Sequence, residues 1–167
     1  MKTTIETKKR EDFNSKIKKF KFNFFPAYRR TGGRIIFISS DWQEVHVKLE
    51  LNRRTRNYVG TAFGGSIFGA LDPIYMVQLI NLLGKEYIVW DKSAKIKFIK
   101  PIKKTVYAKF IISNELLSEI KEQIKISNKY IIDLDVSFYD EEKIIYAKTT
   151  KKIFIANKSY IKNKALQ

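Results

Sequence analysis

The sequence contains no cysteine, one histidine and three prolines among its 167 residues. The absence of cysteine excludes disulfides, thiolate nucleophiles and cysteine-ligated metal sites. Because His46 is the only histidine, a histidine-rich metal site is excluded. Alternation in its predicted strand puts His46 on the polar face, so we expect no Ser–His arrangement either. We therefore expect no bound metal and no cofactor.

Acidic residues are scarce. The chain has 17 of them against 33 lysines and arginines, a formal net charge of +16. Such a charge attracts polyanions, whether nucleic acid, anionic lipid or the phosphates of a coenzyme. We favour biased composition as the explanation, because lysine is spread through nearly every segment except residues 52–84. Because the sequence has no recognisable nucleic-acid-binding motif, we expect no specific nucleic acid partner.

Long apolar runs are also missing, since none reaches the roughly 18–20 residues that span a bilayer. The charged N-terminal stretch, residues 1–22, lacks the apolar core and cleavage site of a secretory signal. These features predict no transmembrane segment and a cytoplasmic protein. Hydrophobic residues make up 44% of the chain and aromatic residues 14%, values typical of one globular domain.

The composition divides the chain into three parts. We expect a basic lead-in segment over residues 1–25, a single domain over 26–157 and a polar C-terminal tail over 158–167. Four phenylalanines at the end of the lead-in are predicted to form an apolar plug that fastens it to the domain: Phe20, Phe22, Phe24 and Phe25.

Hydrophobic spacing predicts one buried helix and a series of strands. Alternating apolar residues indicate a hairpin over 34–39 and 44–51, and helical spacing indicates a helix over 65–83 that should be buried almost all round. Residues 114–125 form either a short amphipathic helix capped by Asn114 or a strand edge. Four further strands are predicted, over 87–99, 105–113, 130–139 and 143–155. The fold class is therefore α+β, with a long antiparallel sheet wrapped around one central helix.

The most informative stretch is Asn57–Met76, NYVGTAFGGSIFGALDPIYM. Gly64 and Gly65 at the start of the predicted helix leave backbone N–H groups free to hold a carbonyl oxygen that becomes an oxyanion. Asp72 lies two helical turns later and falls on the same face, because eight residues at about 100° each come nearly full circle. This combination suits hydrolysis of an activated acyl bond. Alternatively, the glycines serve only a tight turn and close packing.

The order of Asn57, Gly64 and Asp72 resembles the motif of the hotdog-fold thioesterases of the phenylacetate-pathway type. The stretch around these residues, taken with YIVWDKSAKIKFIKP at residues 87–101, resembles more closely the DUF4442 domain family, a bacterial branch of that superfamily. The resemblance covers roughly residues 23–155. The resemblance implies the hotdog fold, hydrolysis of acyl thioesters such as acyl-CoA, and a homodimer or homotetramer in which two chains share each pocket. The thioesterases usually have a histidine where this chain has Phe63.

The resemblance also implies roles for individual residues. Asn57 would orient the attacking water or the substrate carbonyl, although an asparagine at this point also suits the cap of a turn. Asp72, among apolar neighbours, would act as a general base or a nucleophile. Against this, Asp72–Pro73 is a pair that commonly starts a helix, with the aspartate as its cap. The helix could also continue through Pro73 with a kink.

Four further residues are candidates for substrate contact: Asp91, Arg53, Arg56 and Phe63. Asp91 stands where some of these thioesterases carry a serine or threonine that holds the nucleophilic water; its alternative is an ion pair with Lys92, Arg53 or Arg56. Arg53 and Arg56 could meet the phosphates of coenzyme A, or simply form a solvated strand end. Phe63, in the place of a histidine, favours a second hypothesis: a non-catalytic module that binds acyl groups or acyl-CoA.

Overall fold

The computed structural model describes residues 9–164. The first eight residues of the predicted lead-in and the last three of the predicted tail lie outside the described residues. The elements in chain order are α1 Phe13–Phe24, α2 Pro26–Thr31, β1 Gly33–Ile38, β2 Glu44–Leu49, α3 Gly64–Leu71, α4 Ile74–Leu83, β3 Tyr87–Phe98, β4 Val106–Ile111, α5 Asn114–Ser127, β5 Lys129–Tyr139, β6 Ile145–Asn157 and α6 Lys158–Lys164.

The six strands form one antiparallel sheet in the order β1-β2-β4-β5-β6-β3. Side chains on each strand alternate between the core and the outer face; in β2, for example, Val45, Val47 and Leu49 are buried. The predicted β1–β2 hairpin is confirmed, and each of the four later strands is found within two residues of its predicted bounds. The order leaves β1 and β3 as the outer strands.

The sheet wraps around α3 and α4, whose residues Ala70, Leu71 and Leu79 are fully buried. The α+β class is confirmed, but the predicted continuous helix is interrupted between Leu71 and Ile74. Pro73 lies at this break, where its missing N–H removes one helical hydrogen bond. Burial is not complete either, since Ile80 is 44% exposed.

Taken together, the helical run Gly64–Leu83 has 20 residues and a mean hydropathy of 1.4, so its length and composition would allow it to cross a membrane. The expectation that no run is long enough was therefore wrong. In the structure 44% of an 18-residue window of this run is buried inside the fold, and the core helix of a globular protein meets the same criterion.

Helix α1 lies against β1. Asp12 caps its start by accepting a hydrogen bond from the Ser15 N–H, and the Asn23 side chain bonds both the N–H and the carbonyl of Ile35 at 2.8 Å. The predicted plug is wrong for three of its four members. Only Phe22 packs inward, 4.7 Å from the Tyr28 ring; the exposed three are Phe20, Phe24 and Phe25.

Residues 114–127 form a helix, so the strand-edge alternative is excluded. Its cap is Ser113, whose hydroxyl accepts from the Leu116 N–H at 3.2 Å. The predicted cap Asn114 is instead the first helical residue. A serine immediately before it offers the same chemistry one position earlier.

Candidate functional site

The N-terminus of α3 presents free backbone donors. The first N–H groups of a helix have no acceptor within the helix, and no side chain caps this one. The segment before it is fixed, because the Ala62 N–H donates to the Ile102 carbonyl at 2.9 Å and the Phe63 N–H to the Thr55 carbonyl at 2.7 Å. The N–H groups of Gly64 and Gly65 are therefore held in place and available to an external acceptor.

Both glycines also meet aromatic rings. A Cβ atom on Gly65 would lie 2.4 Å from the ring of Phe63, and one on Gly64 would lie 3.2 Å from the ring of Phe98. Phe63 and Phe98 are themselves more than half exposed, at 56% and 54%. Close packing against these rings therefore favours glycine at both positions. The free backbone N–H groups are present at the same two residues.

Asp72 ends α3 in right-handed helical conformation, and its N–H donates to the Phe68 carbonyl at 2.9 Å. No side chain caps the start of α4, so the interpretation of Asp72 as a helix cap is wrong. The structure is closer to the other alternative, in which the helix continues past Pro73 with a kink. The Asp72 side chain is 42% exposed, and its carboxylate is free of backbone hydrogen bonds within the described residues.

The partner of Asp72 is Lys151, on the inward face of β6. This face carries Ala147, Thr149 and Ile153. The Lys151 side chain is 1% exposed, and its Nζ lies 2.5 Å from Asp72 Oδ1 and 3.0 Å from Asp91 Oδ2. A buried ammonium group requires such compensation, because transfer of a charge out of water costs several kcal/mol. The neighbours of Asp72 thus include a cation as well as apolar groups.

Asp91 reaches this cluster from β3. The register between β3 and β6 shifts between Asp91 and Ser93, and a bulge of this kind redirects the side chain beside it. Burial raises the pKa of Asp91; the Lys151 ammonium opposes the rise and the Asp72 carboxylate adds to it, with a net pKa above the ordinary 3.8. Asp91 Oδ1 is buried and has no protein partner among residues 9–164.

The expected ion pair of Asp91 with Lys92, Arg53 or Arg56 is wrong, since its partner is Lys151. Sequence reasoning missed Lys151 altogether. One signal was present: alternation in β6 from Ala147 to Ile155 puts this lysine on the apolar face. The neighbouring Lys152 and the many other lysines obscured it.

Asn57 organises the loop that leads to α3. Its Nδ2 donates to the Thr61 hydroxyl at 2.8 Å, and its Oδ1 accepts from the N–H groups of Val59 and Thr61 at 3.1 and 2.9 Å. These contacts fit the turn-capping interpretation. Arg53 and Arg56 are exposed on the segment just before this loop.

Gly64 and Asp72 share one helix but are separated along it. Eight residues at a rise of about 1.5 Å place them roughly 12 Å apart along the axis. A carbonyl oxygen held by the Gly64 N–H lies about 3 Å from that nitrogen. The donors and the carboxylate of a single chain are thus too far apart to act on one carbonyl group.

No group of three or more potential metal ligands of the His, Asp or Glu type occurs within residues 9–164. His46 contacts Glu44 Oε1 at 2.6 Å on the outer face of β2.

The model of a family described as "Domain of unknown function (DUF4442)" matches residues 15–155. The chain belongs to the DUF4442 family. No curated protein matches its sequence. Several solved structures share the fold of this DUF4442 protein at low sequence identity.

A Pseudomonas aeruginosa protein described as a probable thioesterase superposes with a TM-score of 0.74 at 14% identity, over 85% of this chain and 95% of that one. A thioesterase from Haemophilus influenzae gives 0.63 at 12% identity, over 89% and 94%. A protein of unknown function from Chlorobaculum tepidum gives 0.67 at 20% identity, over 85% and 93%. The predicted hotdog fold is therefore confirmed.

Proposed function

We propose that this DUF4442 protein hydrolyses acyl thioesters, with acyl-CoA as the substrate and Asp72 as the general base. The observation that carries the proposal is the position of Asp72, half-exposed at the end of α3 with one carboxylate oxygen held by Lys151. The similarity to structures described as thioesterases supports the reaction class.

The two carboxylate oxygens of Asp72 differ in their contacts. Lys151 engages Oδ1, and Oδ2 makes no hydrogen bond within the described part of the chain. Oδ2 would take a proton from water as the water oxygen attacks the thioester carbonyl carbon. Lys151 is then a positioning residue that fixes the orientation of the carboxylate.

The oxyanion formed in this attack would accept a hydrogen bond from the Gly64 N–H, assisted by that of Gly65. Breaking of the C–S bond then releases coenzyme A thiolate, which takes up a proton, and leaves the carboxylic acid. In this scheme Asp91 Oδ1, which lacks a protein partner, would accept a hydrogen bond from the water. Asn57 holds the loop that leads to the donors, and Phe63 would contact the acyl group.

The separation of about 12 Å between Gly64 and Asp72 requires that the two halves of a site come from different chains. We propose a homodimer in which Gly64 of one protomer and Asp72 of its partner act on the same carbonyl group. Strand β3 offers an edge for such a dimer: within residues 9–164 no strand pairs with its outer side, whereas the backbone of Ile35 on the other outer strand, β1, is bonded by Asn23 of α1. Asp91 lies on β3, so a partner at this edge would close over the acidic residues.

Complementation tests the shared site. Gly64 is the first residue of α3 and follows an extended residue (Phe63 ψ 132°), so Gly64→Pro removes one donor at a position that tolerates proline. Asp72→Asn removes the base. Chains with the two changes and different tags are co-expressed, and mixed dimers are purified through both tags.

Each mixed dimer contains one intact site, so it should regain about half of the wild-type activity while both parent variants stay inactive. A site built within one chain predicts no recovery. Full activity of a monomeric wild-type chain would also contradict the shared site.

The ion pair itself favours a second candidate function, binding of acyl-CoA without turnover. Lys151 Nζ holds Oδ1 of Asp72 in an ion pair, and such a contact suits a carboxylate with a structural role as well as one that takes part in a reaction. This candidate predicts that acyl-CoA raises the melting temperature while no thiol is released.

Two finer assignments complete the proposal. Arg53 and Arg56, both exposed, would contact the phosphates of coenzyme A through their fork-shaped guanidinium groups. We place the protein in the cytoplasm, where coenzyme A thioesters are made and used.

A further inference from the structure

Helix α1 carries an apolar stripe that faces away from the fold. Phe13, Ile17, Phe20 and Phe24 follow one another at intervals of four, three and four residues, which places them on one helical face. Their exposed fractions are 76%, 37%, 61% and 57%. The rings of Phe20 and Phe24 lie 4.4 Å apart, so the stripe is continuous at this end.

The opposite face of α1 makes the contacts with the body. Ser15 is 1% exposed and its hydroxyl donates to the Ser39 carbonyl at 3.3 Å. Phe22 packs with Tyr28. The orientation of the helix is thus fixed by its inner face. On the outer stripe, the Phe24 ring meets the guanidinium of Arg29, whose Cζ lies 5.9 Å from the ring centroid. Four large apolar side chains in a row on the surface mark an interaction site.

Cationic side chains flank the stripe. Lys16 and Lys21 are exposed on its two sides. Next to the helix lies an open cleft of about 870 Å³ whose lining includes Phe24 and four arginines: Arg29, Arg30, Arg34 and Arg54. Within residues 9–164 none of these arginines forms a salt bridge, and the one acid in the lining, Glu50, pairs with Lys48.

We propose that α1 docks this protein on an anionic lipid bilayer. The apolar stripe would enter the interface between headgroups and acyl chains, and the flanking lysines and arginines would meet lipid phosphates. Charge complementarity selects this occupant. A second copy of the chain would set the same lysines and arginines against each other, whereas an anionic membrane neutralises them. The proposal is independent of the reaction assigned above.

Co-sedimentation with lipid vesicles tests it. Vesicles of phosphatidylcholine with about 30 mol% phosphatidylglycerol should bind the wild-type chain at least about tenfold more tightly than pure phosphatidylcholine vesicles. Binding should weaken as the salt concentration rises, because exposed charges are screened.

Two sets of variants separate the apolar and the charged contributions. Phe20→Ser with Phe24→Ser should weaken vesicle binding at least about tenfold, while Ile126→Ser, at a 79% exposed position on α5, should leave it unchanged. Lys16→Gln with Lys21→Gln should lower the affinity for the anionic vesicles only. All these positions are exposed, so the melting temperature should be nearly constant.

Absence of wild-type binding to the anionic vesicles overturns the proposal, and so does full binding by the double phenylalanine variant. If that variant instead converts a dimer to a monomer, with no vesicle binding by either form, the stripe is an interface between copies. Phenylalanine-dependent retention of a short oligonucleotide, again without vesicle binding, would assign the face to nucleic acid.

Discussion

Lys151 Nζ lies 2.5 Å from Asp72 Oδ1, although the two residues are 79 positions apart in the chain. The contact joins the inward face of β6 to the end of α3, and the second contact of Lys151, with Asp91, brings in β3. One buried cation thus fixes two carboxylates from separate elements at one place.

Replacement of Lys151 by methionine should destabilise the protein by about 3 kcal/mol. It leaves two carboxylates together without their cation, and removal of one member of a buried ion pair typically costs about 3–5 kcal/mol. We expect the lower end because Asp72 is 42% exposed. The free energy of unfolding from urea titration measures the effect.

Lys152→Met is the matched control, because Lys152 pairs with Asp133 on the outer face with both side chains about half exposed. It should cost no more than about 1 kcal/mol. Equal losses for the two variants would show that burial of Lys151 has no energetic consequence. In active protein, Lys151→Met should also lower kcat with little change in KM, as expected for a positioning residue.

The raised pKa of Asp91 predicts a pH-dependent effect of Asp91→Asn. The folded chain holds this proton more tightly than the unfolded chain, so ionisation above the ordinary pKa of 3.8 costs the wild type stability. The stability of Asp91→Asn relative to the wild type should therefore increase as the pH rises from below 3.8 through the folded-state pKa, and then stay level. Urea titrations of both proteins across this range measure the difference. A relative stability that decreases with pH would mean a lowered pKa.

Gly64→Pro should reduce kcat about 10²- to 10³-fold, the usual effect of removing one oxyanion donor. Gly64→Ala retains the N–H and is the control; its Cβ would need a small movement of the Phe98 ring, 3.2 Å away. We expect Gly64→Ala to stay within a few-fold of the wild type. Comparable kcat values for the proline and alanine variants would exclude the Gly64 N–H as a donor.

The strands and the core helix could be predicted from the sequence because their apolar residues repeat at periods of 2 and 3.6. The break at Asp72–Pro73 was visible as a possibility, but local preferences could not decide between a cap and a kink. The deciding contact comes from Lys151, and no local pattern contains a contact across 79 residues. For the same reason the ion-pair partner of Asp91 could not be named.

The outward position of the phenylalanines on helix α1 could not be predicted from the sequence for a different reason. Its phenylalanines were expected to pack inward because apolar side chains usually do. Phe20 and Phe24 lie on the opposite helical face from Ser15 and Phe22, and the register of α1 on the body is set by the polar contact of Asn23 with Ile35. Hydrophobicity alone does not tell which of two apolar faces a fold will cover.

The most direct test of the proposed reaction is thiol release from a series of acyl-CoA chain lengths. Because the protein has no cysteine, a thiol-reactive dye gives no background from the enzyme. We expect turnover of at least one acyl-CoA by the wild type and its loss in Asp72→Asn. No thiol release across the series, with acyl-CoA still raising the melting temperature, would contradict hydrolysis and leave a binding pocket.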